Sequence, residues 1–305
     1  MTTYINFNSG GIGSWSALSR IVAKHSASNV INLFTDTLIE DRDLYRFLIE
    51  STAEAYGIEY PCTLIQRCAE IPDIRTEVDV DIRKTLLPEI AAEAMRLIPG
   101  LAWVIDGRTP WDVFKDARYL GNSRLAPCSH VLKQEAAATY LANNYPDTGD
   151  TVLHLGIDWT EAHRTAAPVA NWAPYRVEFP MCEEPYLDKL DMLRLLDEVG
   201  IARPRLYGMG FAHNNCGGFC VRGGHGHFAN LLEQFPEYFA YSERKENEMR
   251  AYLGRKISMM KKGRTVEGKR VSLPYTMAEL RADIVHNEPV DKLDIGGCGC
   301  FVTAL

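Results

Sequence analysis

Two patterns of apolar residues alternate along this chain. Short unbroken apolar runs recur at residues 4–7 (YINF), 30–34 (VINLF), 101–106 (LAWVID) and 151–157 (TVLHLGI). Runs of this length, with few polar interruptions, predict strands buried on both faces. Between them, over residues 15–24, 40–57, 85–98 and 185–200, apolar residues fall at helical spacing. Residues 63–65 read as one further short strand. Strands alternating with helices predict an α/β fold: a Rossmann-like α/β/α sandwich with a mostly parallel sheet. A turn rich in Gly, Cys and His then occupies residues 203–235, a basic stretch follows, and DIGGCGCF comes near the end. The pattern divides the chain into a nucleotide-binding domain over residues 1–230 and a helical, basic extension over residues 231–305 with a Cys-rich tail.

Composition narrows the function classes. With 46% hydrophobic and 24% charged residues, the chain reads as an ordinary globular protein. No apolar run approaches the roughly 20 residues of a membrane span. No basic segment followed by an apolar stretch opens the sequence, so a cytoplasmic protein with no membrane partner is expected. In that reducing setting the eight cysteines are expected as thiols or metal ligands, not disulfides. A net charge of −7 argues against a surface coated for nucleic acid, yet leaves room for a local basic patch.

The candidate chemistry begins directly after the first strand. Residues 7–14 read FNSGGIGS. A glycine-rich turn between strand and helix lets backbone N–H groups approach an anion, and serine hydroxyls and the helix N-terminus add to the attraction. A plain turn is the alternative. Further on, Asp36 and Thr37 stand where a strand ends, in TDT, and an Asp there can also cap the next helix. GIDWTEAHR supplies Gly156, Glu161 and Arg164. Arg suits bidentate recognition of phosphate or sulfate, while Glu161 and Arg164, three apart, can equally form a surface ion pair.

Taken in order, these segments resemble the ATP-pyrophosphatase (PP-loop) and phosphoadenylyl-sulfate (PAPS) reductase superfamily, in style its iron–sulfur sulfurtransferases. Ser9, Gly10, Gly11 and Ser14 match the S-G-G-x-D-S loop, with Gly13 in place of the Asp. Asp36 and Thr37 match the end of the second strand. Gly156, Glu161 and Arg164 match a G-x-x-x-x-E-x-x-R segment. Tyr207, Gly210, Cys216 and Cys220 match a Y-x-x-G…C-x-x-C region, here spaced C-x3-C. The resemblance implies that Ser9, Gly10, Gly11, Ser14, Asp36, Thr37, Gly156 and Arg164 bind an adenine nucleotide, ATP or PAPS, with magnesium an optional companion. It implies catalytic roles for Asp36, Glu161 and Arg164. It also implies a [4Fe-4S] cluster on Cys128, Cys216 and Cys220 with Cys298 or Cys300. Zinc is the competing reading, because His213, His225 and His227 lie near Cys216 and Cys220 in sequence.

Two enzymes fit the resemblance. One is a sulfurtransferase that adenylates its substrate and takes sulfur from a donor. The other is a PAPS reductase that releases sulfite with a thioredoxin-like reductant; the E-C-G-x-H segment usual in those enzymes is missing. A nucleotide-binding module without catalysis is a third reading. RGGHGHF, residues 222–228, reads either as a second anion-binding turn or as a flexible connector. Residues 250–270 carry eight Lys and Arg against Glu267 alone. They read as a solvated hairpin whose charges protect an edge strand, or as a contact for a nucleic-acid acceptor.

Overall fold

A computed structural model describes residues 1–266 and 269–297, without the side chains of Arg264, Val266 and Arg270. The strands form where the apolar runs predict them: β1 (Thr3–Asn8), β2 (Val30–Asp36), β3 (Leu101–Ile105) and β4 (Thr151–Leu155), with a short β5 (Arg176–Glu178) that the pattern did not disclose. Their order is β3–β2–β1–β4–β5, and every neighbouring pair is parallel. The main helices are α1 (Ile12–Lys24), α2 (Arg42–Ala55), α3 (Cys62–Arg67), α4 (Glu77–Leu97), α5 (Pro110–Asp116), α6 (Ala136–Asn144), α7 (Lys189–Glu198), α8 (His225–Gln234), α9 (Pro236–Leu253) and α10 (Met277–Val285), with shorter helical turns between some of them. The expected strand at residues 63–65 is therefore wrong: this segment is helical α3, with Leu64 turned into the core beside Leu48 and Ile90. Three apolar residues are too few to distinguish the two periods.

Helices cover both faces of the sheet. In β2, Leu33 packs with Ile5, Leu141 and Leu153, whereas the next residue, Phe34, packs with Leu48, Ile90 and Trp103 on the opposite face. That period of two is what buries a strand on both sides. A polar ladder crosses this interior. Asn6 Nδ2 and Asn8 Nδ2 donate to Asn32 Oδ1 at 2.8 and 3.2 Å, and Asn32 Nδ2 donates to Thr52 Oγ1 at 2.9 Å. Paired in this way, the buried amides avoid most of their desolvation cost and pin β2 against β1 and α2.

The chain beyond residue 230 packs on the same core as the chain before it. One apolar cluster contains Ile39, Trp111, Leu206 and Phe219 together with Phe239, Met260, Tyr275 and Leu280. β6 (Met260–Val266) and β7 (Lys269–Tyr275) pair antiparallel as the hairpin the basic stretch suggested. Glu246 of α9, fully buried, accepts from the Met259 and Met277 N–H groups and so ties the hairpin and α10 to that helix. Residue 230 therefore marks no break in the packing.

Candidate functional site

The strand order places a crevice. β1 is central, and the chain leaves it toward β2 on one side while β4 flanks it on the other. Loops after β1 and β4 therefore diverge, and open α/β sheets bind ligands at such a point. A cleft of about 170 Å³ lies there, lined by Ser9, Gly11, Gly13 and Ser14 after β1, by Gly156, Glu161 and Arg164 after β4, and by Tyr207, His213, Asn214 and Asn215. The sequence matches separated by some 150 residues thus meet in one cavity.

Asn8 organises the first loop. Its Oδ1 accepts from the Gly10 N–H at 2.7 Å and from the Ser14 hydroxyl at 3.0 Å. Gly10 takes a φ of +77°, a conformation that disfavours any side chain. Two later residues brace the loop from outside: Asn214 Nδ2 donates to the Gly10 carbonyl at 2.7 Å, and the Ile12 N–H donates to the Tyr207 hydroxyl at 3.3 Å. Gly13, which stands where the resembling loops have Asp, has a packing reason to be small. A Cβ on Gly13 would lie 3.1 Å from the Gly156 carbonyl, and a Cβ on Gly156 would lie 2.7 Å from the Gly13 carbonyl. The backbones after β1 and β4 touch, so position 13 has little space for an acid.

Arg164 and Glu161 form an ion pair on the turn after β4, and both line the cleft. The two readings of this pair are thus compatible. Arg164 is the cation closest in kind to what an anionic ligand requires there.

Asp36 is placed differently. It is fully buried and does not line the cleft. Its Oδ1 accepts from the Leu38 N–H at 2.7 Å and the Tyr45 hydroxyl at 3.0 Å, and its Oδ2 accepts from Trp103 Nε1 at 3.0 Å. Burial pushes its carboxyl above the ordinary range, against the pull of these three donors. In this arrangement Asp36 braces the ends of β2 and β3. Thr37 also lies outside the cleft; its hydroxyl donates to Glu40 at 2.9 Å.

Thr37 belongs to a second, largely apolar pocket, which it lines with Cys128, Lys133, Cys216, Cys220 and Arg222. Cys128 enters from the loop after α5, at the head of a helical stretch that runs through a π-helical turn over His130–Glu135 into α6. Such turns recur at functional sites. Cys216 sits at φ +55°, followed by Gly217 at +59° and Gly218 at +83°. This left-handed run explains the two glycines of CGGFC. Only glycine follows such a path freely, and a Cβ at Gly217 would meet the Ile39 carbonyl. Glu40, fully buried, accepts from the Cys216 N–H and lies 3.5 Å from Lys133 Nζ, itself buried. Burial pushes the Glu40 carboxyl up, and the Lys133 ammonium opposes that. Sequence reading missed Glu40, Asn8 and Asn214; an acid inside the apolar context TLIED was the available signal for the first.

The three histidines lie in different settings. His213 lines the cleft with Ser9 and Arg164, His225 Nε2 lies 2.8 Å from the Lys261 carbonyl, and His227 is buried against Phe211 and Phe228. Among the described residues no three or more His, Cys, Asp or Glu side chains converge on a metal position. Cys298 and Cys300 lie outside the described residues. The chain just before them is docked beside the pocket: the Gly297 N–H donates to the Arg222 carbonyl at 3.4 Å.

RGGHGHF is neither an open anion site nor a loose connector. The backbone carbonyl and carboxylate of Asp294 accept from the N–H groups of Gly226 at 2.9 Å and His225 at 3.1 Å. The protein's own acid caps α8. No helix among the described residues is long and apolar enough to cross a membrane. Comparison with family models, with curated proteins and with solved structures finds no match to this chain.

Proposed function

We propose that this chain is an adenine-nucleotide-dependent sulfur-handling enzyme, and that it acts as a sulfurtransferase. One observation carries the reading. A single stretch of chain builds both sites: His213, Asn214 and Asn215 line the cleft, and Cys216, Phe219 and Cys220 line the cysteine pocket. In this reading the nucleotide would lie on one side of that stretch and the sulfur chemistry on the other.

In this reading the Gly11, Gly13 and Ser14 backbone and the Ser9 and Ser14 hydroxyls cradle the nucleotide's phosphates, and Arg164 pairs with an anionic oxygen. Glu161 holds the Arg164 guanidinium in place. Tyr207 and Asn214 keep the loop in its binding shape. An oxygen of the acceptor attacks the α-phosphate of ATP and pyrophosphate leaves; a sulfide-level sulfur nucleophile delivered from the cysteine side then forms the new carbon–sulfur bond as AMP departs with the oxygen. Cys128, Cys216 and Cys220, with Cys298 or Cys300, would hold a [4Fe-4S] cluster. The support is their shared lining: Cys128, Cys216 and Cys220 border one apolar pocket with Lys133 and Arg222, although their thiols do not converge on one metal position in this structure. Bound there, the cluster supplies thiolate-ligated iron able to carry or polarise sulfur.

PAPS reduction is the second reading, favoured by Gly13. A loop with no acid at position 13, and little space for one, suits binding of a sulfated nucleotide better than magnesium-dependent cleavage of ATP. The test is iron, labile sulfide and bound nucleotide measured together on anaerobically purified protein. Roughly four irons and four sulfides per chain are expected. Stoichiometric zinc in their place, with no iron, overturns the cluster. Pyrophosphate release from ATP supports transfer, sulfite release from PAPS with thioredoxin supports reduction, and tight nucleotide binding without either leaves a non-catalytic module.

A further inference from the structure

A second concave surface lies away from both pockets. It is a groove of about 290 Å³ between the loop after α5 and the approach to the β6–β7 hairpin. Arg118, Arg255, Lys256 and Lys261 line it, and no Asp or Glu does. All four are exposed. Nearby bases have acidic partners: Lys84 pairs with Asp112, Arg108 with Asp106 and Asp116, Lys245 with Glu77 and Glu248, Lys262 with Asp283. The four groove cations have no carboxylate within ion-pair distance among the described residues. On a chain with a net charge of −7, a concentration of uncompensated cations is the electrostatic footprint of a polyanion.

Sequence alone supplied only part of this surface. Arg118, Tyr119 and Asn122 come from a segment more than 130 residues before Lys256, and the fold brings them opposite it. Tyr119 adds an exposed aromatic face inside the groove, and Tyr252 lies at its edge with Lys115 and Arg118 over its ring at 5.9 and 5.7 Å. Cations that track a backbone, interleaved with aromatic faces in a concave channel, suit an unpaired strand. A duplex is read by an element that projects into its grooves.

We infer that this groove binds single-stranded nucleic acid through its phosphodiester backbone. The location adds weight. The groove loop continues through Gly121, where an added Cβ would meet Phe114 and Val221, into Ala126 and Cys128 of the cysteine pocket. On the opposite side, the Lys261 carbonyl accepts from His225, five residues beyond Cys220. A strand held here lies beside the sulfur site. The inference stands on the groove alone and does not depend on nucleotide turnover.

Fluorescence anisotropy on the full chain tests it, with labelled single-stranded RNA, single-stranded DNA and a duplex, each of about 20 nucleotides. Either single strand, or both, should bind, with affinity falling with salt at a log–log slope of about −3, as expected for four neutralised phosphates. Arg118→Glu with Lys256→Glu should weaken binding about 30-fold or more at low salt and flatten the slope. Arg118→Gln with Lys256→Gln, milder for folding, should give a smaller loss of the same kind. Arg194→Glu, an exposed charge on α7, should change affinity less than about twofold. Absence of strand binding at low salt overturns the inference, as does duplex binding as tight as single-strand binding, or groove variants indistinguishable from Arg194→Glu.

Discussion

At the scale of single residues, the cleft is shaped by what is too small to be seen as chemistry. Gly13 and Gly156 let the ends of two strands touch, and their contact fixes the mouth between the serine loop and Arg164. Gly156→Ala should force a Cβ to within 2.7 Å of the Gly13 carbonyl, costing about 1–3 kcal/mol of stability. It should also weaken adenine-nucleotide binding about tenfold or more. Calorimetric titration with ATP and PAPS checks this, and unchanged affinity would show that the contact does not shape the cleft. Residues of this kind were partly legible. Ser9, Gly11, Ser14, Gly156 and Arg164 were found because each lies in a short motif whose members are local. Asp36 was equally conspicuous at a strand end, yet its side chain turns inward. The donors that capture it, Tyr45 and Trp103, arrive from α2 and β3, and nothing near Asp36 in sequence announces them.

At the scale of elements, the π-helical turn before α6 deserves its position. It sets Lys133 inward against Glu40, while Glu40 holds the backbone of Cys216. One buried pair thereby joins the end of β2, the turn carrying Cys128 and the left-handed run at Cys216. Removing one member of such a pair strands a charge. Lys133→Met should destabilise the protein by about 3–5 kcal/mol, and adding Glu40→Gln should recover part of the loss. Chemical denaturation of both variants checks the coupling; a double variant no better than the single one would mean that Glu40 is not left uncompensated. The long-period elements were legible from pattern: four strands and the main helices appear where apolar spacing put them. β5 is too short, at three residues, and α3 too sparse in apolar positions, for spacing to identify either.

At the scale of the whole molecule, residues before and after the expected division at residue 230 share one apolar core, to which α9 and the hairpin contribute beside the cysteine pocket. Composition shifts mark changes in surface, and a core is shared below them. The same compactness gives the molecule an acid limit. His154 and His227 are buried, and burial is the leading cause that depresses each from 6.5 to about 4. A histidine whose folded pKa lies below its unfolded one adds stability above the unfolded value and loses it as pH falls toward the folded value. Stability should therefore decline between pH 6.5 and 4, by up to about 3 kcal/mol per histidine. His154→Gln, which can still reach Glu178, should remove roughly half of that slope in denaturant titrations across pH; an unaltered profile would discharge His154 from the role. One contact also orders events in time. The first N–H groups of α8 are satisfied by Asp294, 69 residues after His225. During synthesis, the turn that follows Cys220 must wait uncapped while α8, α9, the hairpin and α10 emerge. The turn beside the cysteine pocket is therefore capped late, after every residue that lines the serine-loop cleft has been made.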